Sequence, residues 1–231
     1  MRIEIFDDVN SVAGAAAAFI AAESRAAIAA RGRFVTALSG GTTPWLMLHA
    51  FTREEVRWDA VQFVQMDERV APAGDPNRNL THLSEILLAE TSLRTEQIHA
   101  MPVESQDLEV AAAQYAQTIA ALAGSPSVLD LVHLGLGSDG HTASLVPGDS
   151  VLDVTESDVA LTGIYQGRRR MTLTYPILNR ARRVLWLVTG EEKAEALRRL
   201  QAGDLSIPAG RIRRDRAVVF ADQAAVGLLT T

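Results

Sequence analysis

Two periodicities run along the chain. Short apolar runs of the kind buried in a sheet alternate with longer segments whose apolar residues recur every three to four positions, the spacing of one helix face. Residues 2–6 (Arg-Ile-Glu-Ile-Phe) read as an edge strand, 10–31 as an alanine-rich helix and 33–38 (Arg-Phe-Val-Thr-Ala-Leu) as a second strand. After a turn at Ser39–Thr43, Pro44 opens another helix, where a missing N–H would have been unpaired anyway. Residues 61–66 (Val-Gln-Phe-Val-Gln-Met) form the next strand, followed by a loop and a helix near 79–90. A helix at 107–123, a strand at 128–134 and a glycine loop come next, then strands at 158–165, 170–174 and 183–189. A helix at 191–201, a turn-rich connection over Gly203–Arg216 and a strand at 216–220 complete the order. Such alternation predicts an α/β fold: a doubly wound, mostly parallel sheet with helices on both faces. No repeat, low-complexity tract or linker interrupts it, so residues 1–231 are expected to form a single domain.

Composition narrows the class. Of the 231 residues 48% are hydrophobic and 5% aromatic, enough for a full core packed by Ala, Val and Leu. A formal net charge of -6 argues against broad nucleic-acid binding but leaves room for a local cationic pocket. There is no cysteine, which excludes disulfides, a thiolate nucleophile and a Cys-ligated metal. His49, His82 and His99 lack acidic or histidine neighbours at ligand spacing, so no metal site is expected. Residues 12–22 have the apolar character of a signal-peptide core, but Asp7 and Asp8 precede them where positive charge belongs, and Glu23 and Arg25 follow at once. No apolar run reaches the roughly eighteen residues of a membrane span. A soluble cytoplasmic protein is expected, with neither membrane nor nucleic acid as partner.

The most informative stretch is Leu131–Gly148, an apolar run that ends in a glycine loop carrying Asp139 and His141. In open α/β sheets ligands bind outside the carboxyl ends of the strands, where this loop falls. A His there can act as a general base near neutral pH, and a nearby Asp can orient it. A tight turn whose His only caps a helix is the plainer alternative. His133, inside the apolar run, reads as a satisfied core histidine.

Ser39-Gly40-Gly41-Thr42-Thr43-Pro44 lies between a strand and a helix. Its glycines let N–H groups converge, its hydroxyls add donors, and the helix N-terminus adds positive potential, together an anion site without a P-loop lysine. Asp67-Glu68-Arg69 stands at another strand end, where a carboxylate could orient water or bind sugar hydroxyls, or the motif could be a surface Glu–Arg pair. Arg78 and Asn79, opening the next helix, could reach the same crevice. Within Arg168-Arg169-Arg170, one arginine aimed along the strand edge suits a phosphate or a developing oxyanion. Lys193 sits in a helix first turn, which favours acids; that suggests an anionic ligand, and pairing with Glu191 or Glu192 would explain it equally. Arg211, Arg213, Arg214 and Arg216 read as a solvated loop.

Taken together, Ser39–Pro44, Asp67–Arg69, Gly137-Ser-Asp-Gly-His-Thr-Ala-Ser144, Arg170-Met-Thr-Leu-Thr174, Gly190-Glu-Glu-Lys193 and Ile207-Pro-Ala-Gly-Arg-Ile212 resemble, in this order, the 6-phosphogluconolactonases. The resemblance spans nearly the whole chain. It implies a Rossmann-like sheet shared with sugar-phosphate isomerases and deaminases, and hydrolysis of 6-phospho-glucono-1,5-lactone without metal or organic cofactor. It implies His141, Asp139 and Asp67 as the catalytic set, with Asp139 and Asp67 both open as the partner of His141. It further implies Ser39, Gly40, Gly41, Thr42, Thr43, Arg69, Arg78, Asn79, Arg170 and Lys193 around the phosphorylated sugar lactone, in a monomer or homodimer. The related glucosamine-6-phosphate deaminases carry a glutamate five positions after the His; here that position is Val146, which favours the lactonase branch. A non-catalytic sugar-phosphate sensor is a third reading, which has no need of a general base.

Overall fold

The computed structural model describes residues 1–229. Its strands are β1 (Arg2–Phe6), β2 (Phe34–Leu38), β3 (Val61–Gln65), β4 (Asp67–Arg69), β5 (Ile98–His99), β6 (Leu131–Gly135), β7 (Val159–Leu161), β8 (Arg170–Leu173), β9 (Val184–Val188) and β10 (Ala217–Asp222). Its helices are α1 (Val9–Arg31), α2 (Thr42–Phe51), α3 (Asn79–Glu90), α4 (Leu108–Ala123), α5 (Tyr175–Arg180) and α6 (Ala194–Ala202). Seven strands form one sheet in the order β1-β10-β9-β6-β2-β3-β5, and every pairing in it is parallel. The doubly wound α/β fold expected from the alternation is therefore the fold observed.

Side chains alternate across a strand, so β2 feeds both faces. Phe34 and Leu38 pack with Val12, Ile20, Met47 and Leu87 of α1, α2 and α3. Val35 and Ala37 pack on the opposite face with Ile119, Leu178 and Leu197 of α4, α5 and α6. Helix α1 is long and apolar enough by composition to cross a membrane, with mean hydropathy 1.4. Its apolar stripe (Val12, Ala16, Ile20, Ala27) is fully or almost fully buried within the protein. Asp8 caps its start, accepting from the Ser11 N–H at 2.7 Å, and Gly32 ends it in the left-handed conformation (φ 76°).

From β2 the chain proceeds to β3 and β5 on one side, and from β6 to β9 and β10 on the other. The direction reverses between β6 and β2, so a crevice opens at their carboxyl ends. A second sheet stands there, which the alternation along the chain does not declare. Strands β4, β8 and β7 form a separate antiparallel three-stranded sheet, so residues 159–161 and 170–173 do not join the parallel sheet. It grows directly from β3, with Leu173 N–H bonded to the Met66 carbonyl at 2.9 Å. Its register sets Arg69 opposite Arg170.

Candidate active site

The crevice is a cavity of about 580 Å³ lined by Ser39, Gly40, Gly41, Thr42, Thr43, Asp67, Arg69, Asn79, His141, Arg170 and Lys193, among others. Segments distant in sequence converge because each follows the carboxyl end of β2, β3, β6 or β9, or lies on the small sheet.

His141 is set by the loop after β6. Its Nδ1 lies 2.6 Å from Asp139 Oδ1, and its backbone N–H donates to the same oxygen at 3.0 Å. A donor at Nδ1 leaves Nε2 with the free lone pair. Partial burial raises the Asp139 carboxyl, but the N–H donors of His141 more than offset this and hold it below the usual carboxylate range. These contacts favour the ionised carboxylate of Asp139. Gly137 makes the arrangement possible: a Cβ there would stand 2.1 Å from His141 Nδ1. Gly140 (φ 83°) lets Ile207 pack against the turn, and the Ala209 N–H bonds the Gly140 carbonyl at 3.0 Å. The Ile207–Ile212 segment thereby fastens the histidine loop.

Asp67 has a different environment. It is buried, its Oδ2 accepts from Ser144 Oγ at 2.6 Å, and Arg170 NH1 is 4.0 Å away. Burial pushes its carboxyl up, against the Ser144 hydrogen bond and the Arg170 and Arg69 cations. Of the two carboxylates, Asp139 is therefore the one that touches His141. Asp67 instead anchors the cation side of the cleft, through Asn79, whose Nδ2 donates to its carbonyl at 2.9 Å. Asn79 Oδ1 accepts from Arg69 NH1 at 3.1 Å and lies so close to the Ser39–Thr43 turn that a Cβ on Gly40 would be 2.1 Å from it.

One expected residue is placed elsewhere, and another lines the cleft with its donors committed. Arg78 does not line the cleft. Its side chain turns inward, paired with Glu104 and, at 3.6 Å from Nε, with Glu68. A helix start can point only one of two neighbouring residues into the crevice, and here it is Asn79. Ser39 lines the cleft, but its donors are taken: its N–H bonds His133 Nδ1 at 3.3 Å and its hydroxyl the His133 carbonyl at 3.1 Å. Gly40–Thr43 also line the cleft. His133 is half satisfied, since its Nε2 has no partner; burial pushes its pKa down to about 3, so it stays neutral.

Lys193 closes the loop after β9. The turn that carries it is held by Thr189 Oγ1, 2.7 Å from Thr43 Oγ1, and by Asp222, whose carboxylate oxygens both lie 3.1 Å from the Gly190 N–H. The Lys193 backbone N–H donates to the Gly190 carbonyl at 3.1 Å, while its ammonium makes no hydrogen bond or ion pair among the described residues, so neither Glu191 nor Glu192 is paired with it. Arg168 is committed to Asp75 at 2.8 Å and Arg169 to the Thr162 carbonyl at 3.3 Å. Only Arg170 of the triplet faces the cleft. Ser144 closes the Gly137–Ser144 motif and Thr189 stands directly before Gly190-Glu-Glu-Lys193, but neither has a side-chain role legible there, and Asp222 lies in no motif; each acts through a partner that only the fold supplies.

The family described as glucosamine-6-phosphate isomerases/6-phosphogluconolactonase matches residues 7–220. The chain belongs to this family. A 6-phosphogluconolactonase of Nostoc sp. is 32% identical over 97% of this chain and 96% of its own. The crystal structure of a 6-phosphogluconolactonase from Shewanella baltica is 26% identical, with a TM-score of 0.83 over 96% of this chain and 97% of that one. A monomeric glucosamine-6-phosphate deaminase superposes with a TM-score of 0.87 at 20% identity, over 99% of this chain and all (100%) of its own. Both branches of the family share the fold, so the fold cannot choose between them.

Proposed function

We propose that the protein hydrolyses 6-phospho-D-glucono-1,5-lactone to 6-phospho-D-gluconate, the second step of the oxidative pentose phosphate pathway. The observation that carries this reading is the Asp139–His141 pair, 2.6 Å apart, opening on the same cleft as the Gly40–Thr43 loop and the unpaired Lys193. The relatives named 6-phosphogluconolactonase support it. So does Val146, buried and apolar at the place where the deaminase pattern has its glutamate.

The substrate phosphate rests against the N–H groups and hydroxyls of Gly40–Thr43, at the N-terminus of α2, with Lys193 and Arg170 as counter-charges. This grip presents the lactone carbonyl to His141. Nε2 takes a proton from water as the water oxygen attacks C1. As the tetrahedral oxyanion collapses, the C1–ring oxygen bond breaks and the imidazolium returns its proton to that oxygen. Asp139 holds the ring and stabilises the imidazolium between the two transfers. No covalent intermediate is needed, and the Ser144 hydroxyl is occupied by Asp67.

The decisive experiment compares hydrolysis of the phosphorylated lactone and of unphosphorylated gluconolactone, each above its spontaneous rate. Lys193→Ala should raise KM for the phosphorylated lactone roughly tenfold to a hundredfold, the loss of one charge-assisted contact, with kcat little altered. Equal hydrolysis of both lactones by the unaltered protein would reject the phosphate site. Asp139→Asn removes the ionised partner of Nδ1 while keeping its size, and should lower kcat about tenfold to a hundredfold. An unchanged kcat would show that Asp139 does not set the tautomer of His141.

A further inference from the structure

Arg170 is only 6% exposed, yet no carboxylate grips it. Asp67 Oδ2 stands 4.0 Å from NH1, Ser144 Oγ 3.5 Å, and Nε makes no hydrogen bond. What covers the cation is Tyr165, whose ring centroid lies 5.0 Å from Arg170 Cζ, while Gln166 Oε1 accepts from NH2 at 3.0 Å. An aromatic face compensates a guanidinium from above its plane. A paired carboxylate would instead occupy the in-plane N–H groups that an incoming anion needs.

The same ring meets His141. Their centroids are 5.7 Å apart at an interplanar angle of 61°, an edge contact. Asp139 fixes the imidazole through Nδ1, and Tyr165 blocks its swing out of that position. Both contacts issue from one tight turn between β7 and β8. Tyr165 and Arg168 exchange backbone hydrogen bonds of 3.0 and 3.3 Å around Gln166 (φ 51°) and Gly167 (φ 80°). Two positive φ values in a two-residue loop make a type I′ hairpin turn, in which Gln166 is strained. The fold tolerates that strain at the point where Tyr165 and Gln166 reach the site together.

We propose that Tyr165 is a positioning residue of the reaction assigned above, its ring setting the separation of His141 and Arg170 so that base and phosphate cation act on one bound substrate. This rests on the lactonase reading. The ring, rather than the hydroxyl, is what matters, since the phenol makes no hydrogen bond among the described residues.

The test measures Tyr165→Phe, Tyr165→Leu and Tyr165→Ala beside the unaltered protein and His141→Ala, on both lactones. Tyr165→Leu should lower kcat roughly tenfold and narrow the preference for the phosphorylated lactone. Tyr165→Ala should do the same, so a folding failure in one leaves the other readable. Tyr165→Phe should restore both quantities to within about twofold of the unaltered protein. In the His141→Ala background Tyr165→Leu should cost no further kcat, because its effect on turnover passes through the imidazole. Losses that add, a phenylalanine variant as impaired as the leucine one, or a fully active leucine variant would each overturn the role of Tyr165 alone. An unaltered protein that hydrolyses neither lactone would overturn the reaction, and this role with it.

Discussion

His141→Ala is expected to reduce kcat for the phosphorylated lactone by roughly 10² to 10⁴, the usual worth of one positioned general base, while KM stays within a few-fold. The separation of the two parameters follows from where the residues sit. On the proposed mechanism the grip on the substrate belongs to Gly40–Thr43, Lys193 and Arg170, and none of these bonds His141; its partner is Asp139. Folding should be almost untouched, because the imidazole is partly exposed and leaves no sealed cavity. Steady-state kinetics above the spontaneous rate, with thermal unfolding as control, checks both statements. A KM that rises as much as kcat falls would place His141 among the binding groups and leave the reaction without its base. Combined with Asp139→Asn, the histidine change should absorb the whole effect, since an orienting carboxylate has nothing to orient once the ring is gone.

The contrast between what the chain declares and what it conceals has a physical origin. β2, β6 and β9 announce themselves because a strand buried on both faces must be largely apolar; Val184–Val188 is apolar and buried at every position. The glycine loops are legible because few residues tolerate close backbone approach. β4 is hidden because its three residues are all charged, and nothing in Asp67-Glu68-Arg69 shows the period of a strand. Its partner β8 is apolar enough to be recognised as a strand, but not as a member of a second sheet, which depends on pairing across a hundred residues. The choice between Arg78 and Asn79, and between Asp67 and Asp139, turns on which way a side chain points. Spacing cannot settle that unless two groups are as close along the chain as Asp139 and His141. Ser39 shows the converse: a hydroxyl in the right motif whose donors are consumed by the neighbouring strand.

Glu68→Ala should be among the most destabilising single changes available, by about 3–5 kcal/mol, although its motif by itself reads as a surface pair. The side chain is wholly buried. Oε1 accepts from the Arg69 and Asn79 N–H groups, each at 2.9 Å, and Oε2 from the Leu80 N–H and Gln65 Nε2, each at 2.8 Å. Asn79 and Leu80 are the first residues of α3, so one carboxylate satisfies two of the helix's unpaired donors and meets its positive end. Removing it strands those donors and leaves Arg78, 3.6 Å away, with Glu104 as its remaining carboxylate. For a chain of this size the loss corresponds to a drop in Tm of roughly 10 °C. Glu68→Gln should fall between, because its amide turns an N–H toward groups that are themselves donors. Thermal unfolding decides the matter: a Tm within a degree of the unaltered protein would mean that α3 finds its start without this carboxylate. The kinetic signature follows from the geometry, since Asn79 ties Arg69 and Asp67 together. When the start of α3 loosens, that corner of the cleft loosens with it, and surviving enzyme should show its deficit in KM before kcat.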